Sequence, residues 1–170
     1  MYTYKIEKDV SNPEILSFFK EYYTKGYNFY TKAIRKNKIN FFVVARNNDK
    51  IIGAAGLSRT NNKYTAHAGL VHPNYRHQYV AASMKYISFK YCIDNGAEII
   101  SVMRRDTTRS HQRFIDLGFI KKSVNEDNKG ERWAHYIQNV INIDMKLLNS
   151  LCLIVALGNQ HLFKNKELLK

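Results

Sequence analysis

Cysteine, proline and acidic residues are all scarce in this 170-residue chain, and no long apolar run is present. The two cysteines, Cys92 and Cys152, cannot build a disulfide framework and belong to no metal-spaced cluster, so no metal site is expected. That scarcity points to a reducing, cytoplasmic setting rather than secretion. Met1-Tyr2-Thr3-Tyr4-Lys5 offers none of the apolar stretch of a signal peptide. The most apolar segment, Leu147 to Leu157, is interrupted by Asn149-Ser150 and falls short of the roughly 20 residues a bilayer span requires. Only Pro13 and Pro73 break the backbone pattern. With neither repeat nor low-complexity linker, the chain reads as a single domain of 1–170, long enough to bury one core, with 145–170 as a C-terminal helical extension.

What is abundant is positive charge. Twenty-seven basic residues against 14 acidic ones leave a net charge of +13, on a chain that is 45% hydrophobic and too apolar for disorder. Such a balance attracts nucleic acid or another polyanion, although a Lys- and Asn-rich drift in composition produces it equally well. Tyr22 to Lys38 interleaves aromatics with bases. That pattern suits either base stacking and phosphate contact or an amphipathic helix with its tyrosines turned inward.

Read in order, Tyr2 to Glu7 alternates as a strand, and Ser11-Asn12-Pro13-Glu14 is a capping signal for a helix running to about Tyr23. A second helix is expected from Tyr27 to Ile34. Phe41 to Arg46 and Ile51 to Leu57, joined by Asn47-Asn48-Asp49-Lys50, form a hairpin. A strand from Tyr64 to Val71 should follow, ended by Pro73-Asn74. From Arg76 to Asp94 the period becomes helical, with Val80, Met84, Ile87 and Tyr91 as the buried face and Asn95-Gly96 as the stop. Ala97 to Met103 is another strand, Ser110 to Leu117 a short helix, and Phe119-Ile120 and Ala134 to Asp144 mark the last two strands. This order describes a mixed α/β fold around one sheet.

Two segments carry chemistry. Val71-His72-Pro73-Asn74-Tyr75-Arg76-His77-Gln78-Tyr79-Val80-Ala81 resembles the acetyl-CoA signature of the GNAT superfamily, Val-x-Pro-x-Tyr-Arg followed by x-x-Gly-x-Gly/Ala. Thr107 to Phe119, containing Ser110, Phe114 and Leu117-Gly118-Phe119, resembles the family's second block, Asn-x-x-Ser/Ala-x-x-x-Tyr-x-x-x-Gly-Phe. The resemblance implies a mixed, mostly antiparallel sheet flanked by helices, and an N-acetyltransferase that moves an acetyl group from acetyl-CoA to an amine acceptor.

By the same resemblance, the amides of His77, Gln78, Tyr79, Val80, Ala81 and Ala82 would hold the pyrophosphate, where a helix N-terminus presents unpaired N–H groups and partial positive charge. Arg76 adds charge beside them. The backbone of Leu70, Val71 and His72 would pair with the pantetheine amides, and Thr107 and Ser110 would border the cofactor. Three positions depart from the family pattern. Tyr79 stands for the first glycine, Thr107 for asparagine, and Phe114 for a tyrosine that commonly protonates the departing thiolate.

His67 is the candidate base for the amine, since arylalkylamine acetyltransferases carry histidines on this strand and one resembles His67 in position. A half-buried strand histidine bonded to its neighbours is the plainer alternative. Two other readings stay open: a nucleic-acid-modifying protein of the phage Mom type, and a non-catalytic binding protein on the same fold. The apolar positions Leu147, Leu148, Leu151, Leu153, Ile154 and Leu157 would be covered either by the sheet or by a second copy in a homodimer.

Overall fold

In a computed structural model of the chain, residues 2–67, 69–106, 111–126 and 130–156 are described. Among them the strands are β1 (Tyr2–Glu7), β2 (Phe41–Asn47), β3 (Lys50–Thr60), β4 (Lys63–Ala66), β5 (Leu70–Val71), β6 (Ile99–Arg105), β7 (Ile120–Glu126) and β8 (Arg132–Asn139). The helices are α1 (Pro13–Tyr22), α2 (Thr24–Arg35), α3 (Val80–Asp94), α4 (His111–Asp116) and α5 (Met145–Ala156). One sheet runs β1-β2-β3-β4-β6-β8-β7, with β5 paired to β3 off that path. Every pairing is antiparallel except β4 with β6. This is the mixed, mostly antiparallel sheet flanked by helices that the sequence implies.

Local chemistry explains the element ends. The Asn12 side chain accepts the Glu14 N–H at 2.9 Å and Pro13 opens α1, since proline costs nothing where no intrahelical donor is needed. The β2–β3 turn puts Asn48 at φ 50°, a left-handed conformation that asparagine tolerates. Gly96 at φ 80° stops α3.

Alternation along β2 sends side chains to both faces of the sheet. Phe42 and Val44 join Ile15, Phe19, Tyr30 and Leu70 beneath α1 and α2. Val43 and Ala45 join Met84, Phe89, Phe114 and Tyr136 beneath α3 and α4. Each fully buried aromatic or aliphatic side chain contributes on the order of 1.5–3 kcal/mol, so both layers hold the sheet.

Several sequence expectations change in detail. The strand expected over Tyr64–Val71 is two pieces, β4 and β5, separated at residues 67–69. The helix expected from Arg76 begins at Val80, after a 3-10 turn at Pro73–Tyr75. Its burial is not a single stripe. Ser83, Tyr86, Ser88, Phe89 and Cys92 are buried with Val80 and Met84, whereas Ile87 and Tyr91 are only half-buried. The cause is a second partner: α5 packs on α3, and Leu148 is fully buried in the same cluster. The last strand ends at Asn139, followed by a 3-10 turn at Val140–Asn142. The second helix starts three residues earlier than expected, at Thr24 rather than Tyr27. Its tyrosines face inward: Tyr30 is buried, and Tyr23 and Tyr27 pack on the same cluster. Leu157 and the rest of the tail lie outside the described residues.

Candidate functional site

The site is built on a break in the sheet. His67 donates its N–H to the Gly56 carbonyl at 3.0 Å, and two residues back along β3 Ala54 pairs with Leu70. The strand opposite β3 therefore takes three steps where β3 takes two, which is a β-bulge. Gly69 sits in it. A Cβ there would meet the Ala55 Cβ at 2.6 Å and the Ala54 carbonyl oxygen at 2.8 Å, so only glycine fits.

A regular ladder would return a hydrogen bond from Gly56 N–H to the His67 carbonyl. Here Gly56 N–H instead donates to the Tyr30 hydroxyl at 3.0 Å, and the His67 carbonyl accepts from Lys85 Nζ at 3.2 Å. Both freed backbone groups thus find side-chain partners.

Beyond the bulge the sheet divides. β4 pairs with β6 only as far as Ala66 and Val102. β5 then stays on β3, while Met103, Arg104 and Arg105 of β6 pair only with β8. His72 donates its N–H to Ile52 at 2.9 Å, so alternation turns Leu70 and His72 toward β3 and the Val71 backbone toward the opening. The Val71 carbonyl accepts from Arg76 Nε at 3.3 Å.

Below the opening, the chain runs through a tight loop into α3. His77 and Tyr79 both have left-handed backbones, at φ 63° and 62°, with Gln78 between them outside that region. Alternating hands of this kind form the concave nests of N–H groups that bind anions. The first intrahelical bond runs from Ser83 N–H to the Tyr79 carbonyl at 2.9 Å, and no side chain caps the helix. The N–H groups of Val80, Ala81 and Ala82 therefore have no helical acceptor.

Tyr79 occupies the conformation glycine adopts without strain, while its ring packs on the main core. Its neighbours are also tied down. Tyr2 donates its hydroxyl hydrogen bond to Gln78, Gln78 Nε2 reaches the Asn74 carbonyl at 3.1 Å, and Asn47 Nδ2 donates to the Tyr75 hydroxyl at 3.2 Å. His72 Nδ1 accepts the Asn74 N–H at 3.2 Å, so this histidine caps the turn, with Tyr22 and Tyr75 rings against it.

His67 lies on the α1/α2 face of the sheet. Its Nε2 is 2.9 Å from Ser58 Oγ, and its ring lies 5.4 Å from that of Phe29. Desolvation, with a smaller push from the Lys85 charge, lowers its pKa to about 4. A second histidine–serine pair, not expected from the sequence, lies on the same face. Strand register places His135 opposite Met103, and its Nε2 is 2.6 Å from the buried Ser101 Oγ. Burial, then the Lys63 charge, lowers the His135 pKa too. The signal for it was the alternation of β8, where Ala134, Tyr136 and Gln138 are buried and Trp133, His135 and Ile137 share the other side. Lys25 at the start of α2 pairs with Glu131 beside β8 at 3.3 Å, linking the helices to this half of the sheet.

On the opposite face, Phe114 is buried against Phe89, Phe119 and Tyr136, with the Arg104 guanidinium 5.1 Å above its ring. Thr107 and Ser110 lie outside the described residues. The described residues contain no group of three or more His, Cys, Asp or Glu placed to hold a metal, and no helix long and apolar enough to cross a membrane.

Comparison with known proteins gives this fold a family. The acetyltransferase (GNAT) domain matches residues 6–139, and the chain belongs to that family. No protein of curated function matches in sequence. Among solved structures, the ribosomal-protein-S18-alanine N-acetyltransferase of Escherichia coli superposes with a TM-score of 0.63 at 13% identity, covering 82% of this chain and 94% of that one. The IAA acetyltransferase of Bacillus cereus gives 0.60 at 11%, covering 82% and 100%. A chain of the NatC complex bound to Gag peptide and CoA gives 0.59 at 14%, covering 82% and 98%. These likenesses concern the fold.

Proposed function

We propose that the chain is an N-acetyltransferase that moves an acetyl group from acetyl-CoA to an amine. The observation that carries this reading is the divided sheet: the Val71 backbone faces an opening whose lower end is the uncapped N-terminus of α3. The loop keeps its left-handed turns at His77 and Tyr79 although neither is glycine. The N–H groups of Val80, Ala81 and Ala82 suit a pyrophosphate, with Arg76 alongside and the preceding loop amides completing the cradle. Val71 offers its N–H to a pantetheine amide by strand-like pairing, flanked by Leu70 and His72. Acetyl-CoA supplies the activated acyl carbon.

The acceptor amine enters on the α1/α2 face, where His67 and His135 each stand beside a serine. His67 is neutral at working pH, so its ring can take the proton the amine sheds as the new N–C bond forms. A base with a pKa near 4 is weak, which puts its contribution at the low end of general-base effects, about 10²-fold. Ser58 fixes the orientation of the ring.

Calorimetry with CoA, followed by thiol release from acetyl-CoA over a panel of amines, tests the reading. Heat of binding and amine-dependent thiol release are expected. No heat at millimolar CoA would sink it.

A further inference from the structure

Acyl transfer at this opening leaves a thiolate that needs a proton or a positive charge, and the described side chains around the opening include few that can supply either. Leu70, Val71 and Met103 carry no exchangeable proton. Phe114 is a bare phenyl ring, and Tyr136 is fully buried beneath it. Arg104 is charged, but a guanidinium does not release its proton. His67 and His135 lie on the acceptor side.

Lys85 remains. It projects from the second turn of α3, and its Nζ reaches the His67 carbonyl, one residue beyond Ala66, where β4 last pairs with β6. On the other side of the divide stands Arg104, two residues beyond the last β4–β6 pair, close enough for its charge to act on Lys85. Lys85 is thus placed at the point where β4 and β6 part. Its one hydrogen bond among the described residues uses one of three donors, and no carboxylate there pairs with it.

We propose that Lys85 is the catalytic acid of this chain, giving its Nζ proton to the CoA sulfur as the acyl group departs; the inference rests on the acyl-transfer reading above. In the step, the C–S electron pair goes to sulfur, an Nζ–H proton follows it to give the thiol, and Lys85 is left neutral until water reprotonates it. The amine's own proton leaves separately, on the acceptor side. Proton release from an ordinary lysine would be slow at neutral pH. Desolvation, then the Arg104 charge, push Lys85 down to about 7, with Cys92 opposing slightly. It therefore holds a proton near neutrality and gives it up readily to a thiolate, whose ordinary pKa is near 8.5.

The test uses the full chain and two variants, Lys85→Gln and Lys85→Arg. Both keep a donor for the His67 carbonyl, and neither can release a proton near neutrality. Calorimetry with CoA first establishes binding, expected within about threefold in all three. Thiol release from saturating acetyl-CoA is then followed against pH with the fastest amine of the panel. Near pH 7 both variants should be at least about tenfold slower than the wild type, the loss expected of a general acid. The wild-type advantage should shrink as the pH rises above 7 and Lys85 loses its proton. A wild-type rate matched by either variant, with CoA bound in both, overturns the role of Lys85 alone. Absence of CoA binding by the wild type overturns the acyl-transfer reading and this proposal with it. If neither variant folds, a wild-type rate that does not fall on the alkaline side is itself the refuting result.

Discussion

Tyr30 and Lys85 reach one break in the sheet from its two faces, Tyr30 Oη accepting the Gly56 N–H at 3.0 Å and Lys85 Nζ donating to the His67 carbonyl at 3.2 Å. A bulge frees one donor and one acceptor, and each would be costly to leave unpaired in a buried setting. Two helices on opposite faces therefore stabilise the feature that opens the strand pair, which links the packing of the core to the geometry of the site.

The Tyr30 contact has a direct consequence. In Tyr30→Phe the ring still fills its place against Phe19 and Phe42, but the Gly56 N–H loses its partner. Stability should fall by about 1–3 kcal/mol, the usual cost of an unpaired buried donor. Denaturant unfolding that shows no loss beyond about 0.5 kcal/mol would mean that the N–H is satisfied otherwise.

Gly69 is where the bulge leaves no room. In Gly69→Ala the new methyl meets the Ala55 Cβ and the Ala54 carbonyl, and backbone cannot step aside as a flexible side chain can. Overpacking of this kind costs about 1–3 kcal/mol. It should also move the Val71 edge and weaken CoA binding at least tenfold. Gly96→Ala is the control: its Cβ meets nothing within 4 Å, and only the φ of +80° resists it, at about 1 kcal/mol. CoA affinity unchanged in Gly69→Ala would separate the bulge from the binding edge.

Tyr79 keeps the shape of a glycine turn without the glycine. In Tyr79→Gly the loop should hold its conformation, because φ 62° costs glycine nothing, and the relief of about 1–2 kcal/mol offsets packing lost by the ring. CoA should bind this variant within about threefold of the wild type. Tyr79→Val should lose more than tenfold, since a β-branched residue resists the left-handed region. Equal CoA affinity in the two variants would show that the turn does not set the cradle.

The elements were largely legible in the sequence, because alternation in β1 to β3 and the cap at Asn12-Pro13 are local signals. The loop after Val71 was legible for the same reason, through Pro73 and the helix that follows. The break between β4 and β5 was not. A bulge is a mismatch of register between strands distant in sequence, and Tyr64 to Val71 reads as one strand until Ala54 and Gly56 are set opposite it. Lys85 was hidden likewise. Lysine in a helix ordinarily signals solvent, and its contact with the His67 carbonyl spans eighteen residues. His135 had no local signal beyond the alternation of its own strand, and α5 covering α3 could not be read from the period of α3 alone.

Lys85 and Cys92 give opposite limbs to stability on the alkaline side. The folded pKa of Lys85 is pushed down from 10.5 to about 7, so between those values the unfolded chain binds more protons and stability rises with pH. Cys92 is pushed up from 9.0 to about 12 by burial, so above about pH 9 the unfolded chain binds fewer protons and stability falls. Burial raises the buried Tyr30 phenol as well, adding to the fall above pH 10. Stability should therefore climb from pH 7 and turn over near pH 9. A full proton would give a slope of about 1.4 kcal/mol per pH unit. From pH 7 to 9 Lys85 therefore adds about 2 kcal/mol, or roughly 4–8 °C in melting temperature. The control is Lys85→Met, which cannot titrate. Its stability should be flat from pH 7 to 9, whatever its level at pH 7 after losing the bond to His67. A wild-type climb that persists unchanged in Lys85→Met would place the responsible proton elsewhere.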